Sequence, residues 1–207
     1  GRPFPRSKSR LYDSGVKTPL IVWSPGTIKP ARSESLVSSI DFGPTFLELA
    51  GLPKEPTIQG VSLASLLKNP KGKVRDYAFS EHNWHVYAAH ERSVRYGDWL
   101  YLQNNFNHKR ALATESDDWH YPAAIELWEM YRAGETHAWQ EDIPLIPRPK
   151  VELFHVRADP HQMTNLAGQP EHKAIQRKLA AVLDQWVSET GDDIPENPTP
   201  DRPKGPR

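Results

Sequence analysis

The sequence predicts a mixed chain: the end of a large α/β domain, followed by a small antiparallel α+β domain covered by a C-terminal helix. Three observations carry this. Pro19, Leu20, Ile21, Val22 and Trp23 form an apolar run without alternation, as in a strand buried on both faces of an α/β sheet. Beyond residue 70 the pattern changes to short segments rich in aromatic and β-branched residues, as in antiparallel strands. Near the C-terminus, Ile175, Leu179, Val182, Leu183 and Trp186 recur at helical spacing and make one apolar stripe.

Taken in order, the chain opens on a basic loop with Arg2, Arg6, Lys8 and Arg10 that leads into the predicted strand. On residue type alone such a loop is either a solvated charged segment or an anion site beside a core strand. A turn-rich connection with Pro25, Gly26 and Pro30 follows. A helix is predicted from Asp41, an N-cap rather than a metal ligand, through Phe42, Phe46, Leu47 and Ala50, with Gly51 and Pro53 as the stop. One strand and one helix cannot cover a sheet. Leu20, Ile21, Val22, Phe46 and Leu47 are therefore expected to face partners outside this sequence.

A linker at residues 69–73 divides residues 1–70 from a small domain over 71–193. In the latter, DYAFSEH, ERSVRYGDWLYLQNN and VELFHV read as strands, and the second breaks at Tyr96, Gly97 and Asp98 into a hairpin. Residues 106–149 form a long aromatic-rich insertion with a helix around 121–133. Its aromatics either build a satellite core or stack on sugar rings. Residues 194–207 are a proline-rich tail with the composition of a disordered segment.

The 207 residues carry 26 basic and 26 acidic side chains, a balance that gives no reason to expect nucleic acid or an acidic membrane surface as a partner. No apolar run reaches bilayer length. The absence of cysteine removes disulfides, thiolate metal sites and a cysteine nucleophile together. The nine histidines show no zinc-finger or helical metal spacing, and neither a nucleophile elbow nor a glycine-rich phosphate loop is present.

Three stretches, KSRLYDSGVKTPLIVWSPG, SLVSSIDFGPTFLELAGLP and ELFHVRADPHQMTNLA, follow one another in an order and spacing that resemble the type I sulfatases of the alkaline phosphatase superfamily. GRPFPRSKSRLY, FSEHNWH, RSVRYGDW and NNFNHK resemble the heparan N-sulfatase (sulfamidase) branch more than the average arylsulfatase. The resemblance implies that Lys8 holds a sulfate oxygen during catalysis, a place where sulfamidases can carry arginine. It places His82 and His85 where the small domain borders the saccharide, although on sequence alone they read first as surface histidines. Gln162 stands where sulfatases commonly have glutamate.

The same resemblance implies a calcium ion and a formylglycine nucleophile supplied upstream, since no cysteine or serine here lies in the required Pro and Arg context. The upstream part of the same sulfatase and a sulfated glycosaminoglycan are then the expected partners, in a periplasmic, secreted or lysosomal setting. This stretch alone is expected to be inactive. Two other functions fit the residues: a phosphoester hydrolase of the same superfamily, and a non-catalytic carbohydrate-binding or assembly piece.

Overall fold

The computed structural model describes residues 4–202, so Arg2 of the basic loop lies outside the described residues. The chain divides into two compact units, residues 19–78 and residues 1–18 with 79–207. The basic loop thus belongs with the antiparallel sheet and not with the residues that directly follow it.

The sheet is a four-stranded meander of β1 (Tyr77–His85), β2 (Tyr87–Tyr96), β3 (Trp99–Asn104) and β4 (Val151–His155). The predicted hairpin forms with Tyr96 opposite Trp99. Gly97 takes φ +54 at the first loop position, where a two-residue turn matched to strand twist needs a positive φ. β3 shows how the sheet is covered. Leu100 and Leu102 share one face and Tyr101 lies on the other, yet all three are buried.

One cover is the predicted C-terminal helix, the last of five: after α1 (Asp13–Val16), α2 (Phe42–Leu49), α3 (Ala64–Lys68) and α4 (Pro122–Ala133) comes α5 (Lys173–Thr190). Leu179 and Leu183 of α5 are fully buried, Trp186 stacks on Phe79 at 5.0 Å, and Gly191 ends the helix in the left-handed region. Truncating either leucine to alanine typically costs about 2–5 kcal/mol. The other cover is the basic loop. Its Leu11 and Tyr12 form a core cluster with Leu100, Leu102, Phe154 and Val156.

The long insertion contains α4, close to the predicted helix, and its aromatics divide. Trp128 donates from Nε1 to the Ser116 carbonyl at 2.8 Å, tying α4 to the buried turn at residues 113–117, whereas Trp139 is exposed. The proline-rich tail is docked as far as it is described, contrary to its composition. Arg202 N donates to the Val86 carbonyl at 2.7 Å, Trp84 Nε1 to the Pro200 carbonyl at 3.0 Å, and Ala88 N to Asp201 Oδ1 at 2.7 Å.

In the unit of residues 19–78, Asp41 precedes α2 as expected, but its side chain does not cap that helix. It is fully buried, accepts from Ser38 N at 2.8 Å and Val61 N at 2.9 Å, and pairs with Arg75. Asp41 ties three segments together, a role the capping pattern did not reveal. Pro19 to Trp23 form no strand, and Ile21 and Trp23 are 87% and 81% exposed. A strand needs neighbours for its backbone groups, and the described part of residues 19–76 contains none.

Of the five residues expected to face outside partners, Leu20, Ile21, Val22 and Phe46 are exposed and Leu47 is half-buried. Burying one such side chain is worth about 1.5–3 kcal/mol, so covering this surface would be favourable. Replacing Ile21 and Trp23 together by serine should lower self-association of the chain in light scattering and leave the unfolding of the sheet unit unchanged. Equal self-association of variant and parent would remove this surface as the cause.

Candidate functional site

Leu11 and Tyr12 fix the loop by packing into the sheet, with the Tyr12 ring edge-on to Phe154 at 5.8 Å. Tyr12 OH also donates to Glu152 Oε1 at 3.0 Å. The loop then folds back on itself around Gly15. A Cβ there would lie 2.1 Å from the Arg10 carbonyl oxygen and 2.3 Å from that of Ser7, which is why this position must be glycine. Ser9 takes φ +64, a left-handed conformation uncommon outside glycine, between Lys8 and Arg10. The two cations separate at this point: Lys8 reaches the β1–β2 turn, and Arg10 enters the interior.

Lys8 Nζ lies 2.9 Å from His85 Nε2 and 3.5 Å from Glu115 Oε1. An ammonium can only donate, so in this contact the acceptor is His85 Nε2. The Lys8 side chain is 33% exposed and that of Glu115 fully buried. The next residue, Val86, has φ +74, a costly conformation for a β-branched side chain, held by the docked tail through its carbonyl.

Behind this rim lies a buried charge cluster. Glu91 of β2 pairs with Arg148, lies 3.7 Å from Arg10 Nη1, and accepts from His82 Nδ1 at 3.0 Å. Burial pushes the Glu91 carboxyl up, but Arg10, Arg148 and His82 outweigh burial and hold it far below the usual carboxylate range. Glu152, by contrast, is raised by burial despite Arg148 and the Tyr12 hydroxyl. Burial and Glu152 in turn raise Tyr12. A narrow cleft opens among Arg10, His82, Glu91, Lys109, Arg110 and Arg148. His82 faces it with a buried Nε2 that has no protein partner among the described residues.

The structure therefore brings Lys8 and His85 together and sends His82 elsewhere. Residues three apart on a strand point to opposite faces, so the HNWH spacing could have foretold that separation. Arg6 is no solvated cation: it pairs with Asp142 at 2.6 Å and lies over the Tyr12 ring at 3.9 Å. Gln162 is buried at φ +50; its Oε1 accepts from Asp13 N at 2.9 Å and its Nε2 donates to the Pro160 carbonyl at 2.7 Å. Glutamate could make the first of these bonds and not the second. Glu91, Glu115 and Arg148 gave no signal in the sequence, since each becomes functional-looking only once distant segments meet. Among the described residues no three histidine or carboxylate side chains group as a metal site.

The chain is 30% identical over 213 residues to an ulvan-active sulfatase of Formosa agariphila, covering 95% of this chain and 33% of that protein. It is 29% identical over 206 residues to human N-sulphoglucosamine sulphohydrolase, covering 93% of this chain and 40% of the human protein. It thus spans between a third and two fifths of the length of these relatives. The solved structure of BT4656 in complex with its substrate D-glucosamine-2-N,6-O-disulfate shares the fold, with a TM-score of 0.54 at 22% identity over 83% of this chain and 28% of that one. Residues 6–135, which include Lys8, β1–β3 and Glu115, match the family described as N-sulphoglucosamine sulphohydrolase, C-terminal, and the chain belongs to that family of sulfatase C-terminal domains.

Proposed function

We propose that this chain supplies the C-terminal portion of a sulfatase that hydrolyses sulfated glycosaminoglycan, with the N-sulfate of glucosamine as the preferred bond, and that Lys8 is its contribution to the chemistry. The observation that carries this reading is the placement of Lys8. A partly exposed ammonium lies 2.9 Å from His85 on one side and 3.5 Å from the buried Glu115 on the other.

Sulfuryl transfer spreads negative charge over the sulfate oxygens, and a fixed cation facing them stabilises the transition state most when it need not reorganise. The Lys8 ammonium contacts His85 at 2.9 Å, is drawn to Glu115 at 3.5 Å, and its side chain stays partly exposed, which lets it meet a sulfate oxygen. His85, half-exposed beside Lys8, borders the saccharide, while His82 faces the separate cleft. The nucleophile, the formylglycine of the sulfatases, and the calcium ion would come from another part of the protein, and no step here is assigned to them.

The test has two arms. The complete protein carrying this chain should release inorganic sulfate from N-sulfoglucosamine faster than from a 6-O-sulfated analogue or a phosphoester. The purified 207-residue chain should release none. Preference for the phosphoester would move the protein to another branch of hydrolases, and metal-dependent turnover by the isolated chain would show that it contains its own nucleophile.

A further inference from the structure

We infer that Glu115 is a positioning residue for Lys8, and so a determinant of turnover rather than of substrate affinity. This inference rests on the reading of Lys8 as the cation that meets sulfate. Glu115 lies in the insertion, far from the loop in sequence, and is fully buried where Lys8 is not.

A lysine side chain is a flexible stem whose rotamer freedom works against a catalytic cation that must be in place beforehand. A partner can limit that freedom only if it is rigid itself. Glu115 is built into such a place. Ser116 N and Asp117 N both donate to the Ala113 carbonyl at 3.0 Å, and Ala113 N donates back to Ser116 Oγ at 2.7 Å. Asp117 Oδ1 then accepts from Trp119 N and His120 N, and its Oδ2 accepts from Tyr87 OH at 3.0 Å, which fastens the turn to the start of β2. The Tyr87 hydroxyl is pushed up to about 12 by burial and Asp117, so it stays a donor.

Glu115 and His85 approach Lys8 from two separate segments, one from the insertion and one from the β1–β2 turn. One hydrogen-bond acceptor and one fixed counter-charge together restrict where the ammonium can sit. Glu115 differs from His85 in charge, so it holds Lys8 by attraction across 3.5 Å in a buried setting. Losing it leaves the positive charge in place but frees the stem. Attraction for an anionic substrate then persists while alignment in the transition state is lost, the pattern in which kcat falls and KM does not rise.

The experiment is a double-mutant cycle in the complete sulfatase, with N-sulfoglucosamine as substrate and the thermal midpoint of every variant recorded. Glu115→Gln should lower kcat on the order of tenfold to a hundredfold, the scale of a misplaced catalytic group, with KM unchanged or lower. Glu115→Asp, which keeps the charge, should lose less. In a Lys8→Met background neither change should cost anything further. Fully additive losses, or a Glu115→Gln enzyme with parental kcat, overturn the inference. Should Glu115→Gln fail to fold, the Asp change alone completes the cycle with Lys8→Met, and additivity there overturns it equally. A Lys8→Met enzyme with parental activity instead removes the reading of Lys8 on which the inference stands.

Discussion

Replacing Lys8 by alanine in the complete sulfatase should lower kcat by about a hundredfold or more, the scale seen when one donor to a developing oxyanion is removed. Lys8 is fixed by His85 at 2.9 Å and by Glu115 at 3.5 Å, and part of its side chain remains open. Its loss therefore removes a preorganised charge and little packing. Lys8→Arg should keep part of the activity, because the charge survives while a planar fork replaces a point-like ammonium. Arg6→Ala offers the contrast. With its ion pair to Asp142 and its place over Tyr12, Arg6 should affect stability and leave kcat of the folded enzyme near parental. Steady-state kinetics of the three variants decides the matter, and parental turnover by Lys8→Ala would return the loop to a charged surface segment.

Breaking the Glu91 cluster should have the largest effect on stability. Arg148→Ala leaves a buried carboxylate with one of its cations gone, a change that typically costs about 3–5 kcal/mol. The pH dependence follows from Glu91. Its folded-state pKa is depressed, so its contribution is fully present above the unfolded carboxyl value of about 4.3 and is lost as pH falls through that value towards the folded one. Glu152, whose pKa is raised, acts with the opposite sign, so the comparison must be between Glu91→Gln and the parent, where Glu152 is common to both. Urea midpoints measured between about pH 3 and pH 7 should show the parent losing more stability on acidification than the variant. Parallel curves would mean that Glu91 is not held ionised by Arg10 and Arg148.

What was legible in the sequence was local. The hairpin at Gly97, the stripe of α5 and the helix after Asp41 follow from spacing and turn chemistry that a few neighbouring residues determine. The loop that carries Lys8 stood out by its motif, and several motif positions have a physical basis: Leu11 and Tyr12 anchor the loop, and Gly15 lets it close on Ser7 and Arg10. The partners of Lys8 were not legible. Glu115 lies in a polar stretch with no periodicity, and its importance comes from meeting a loop more than a hundred residues away. The apolar run at Leu20 to Trp23 misled for the same reason in reverse. Its composition is that of a buried strand, but a strand exists only where other strands accept its backbone, and residues 19–76 hold none among those described. The tail misled because proline-rich composition says nothing about specific acceptors such as the Val86 carbonyl.

The anchoring of the basic loop also sets an order in time. Tyr12 reaches Glu152 across 140 positions, and Arg6 reaches Gln162 across 156. A ribosome adding about 5–20 residues per second needs roughly 7–30 s to make that stretch, so the segment bearing Lys8 waits for these anchors until β4 and the turn after it emerge. Contacts that span most of a chain are also the slow ones to form. The loop bearing Lys8 is thus made well before its anchors in β4 and beyond, and a nascent chain stalled before residue 152 would lack both Glu152 and Phe154 as partners of Tyr12.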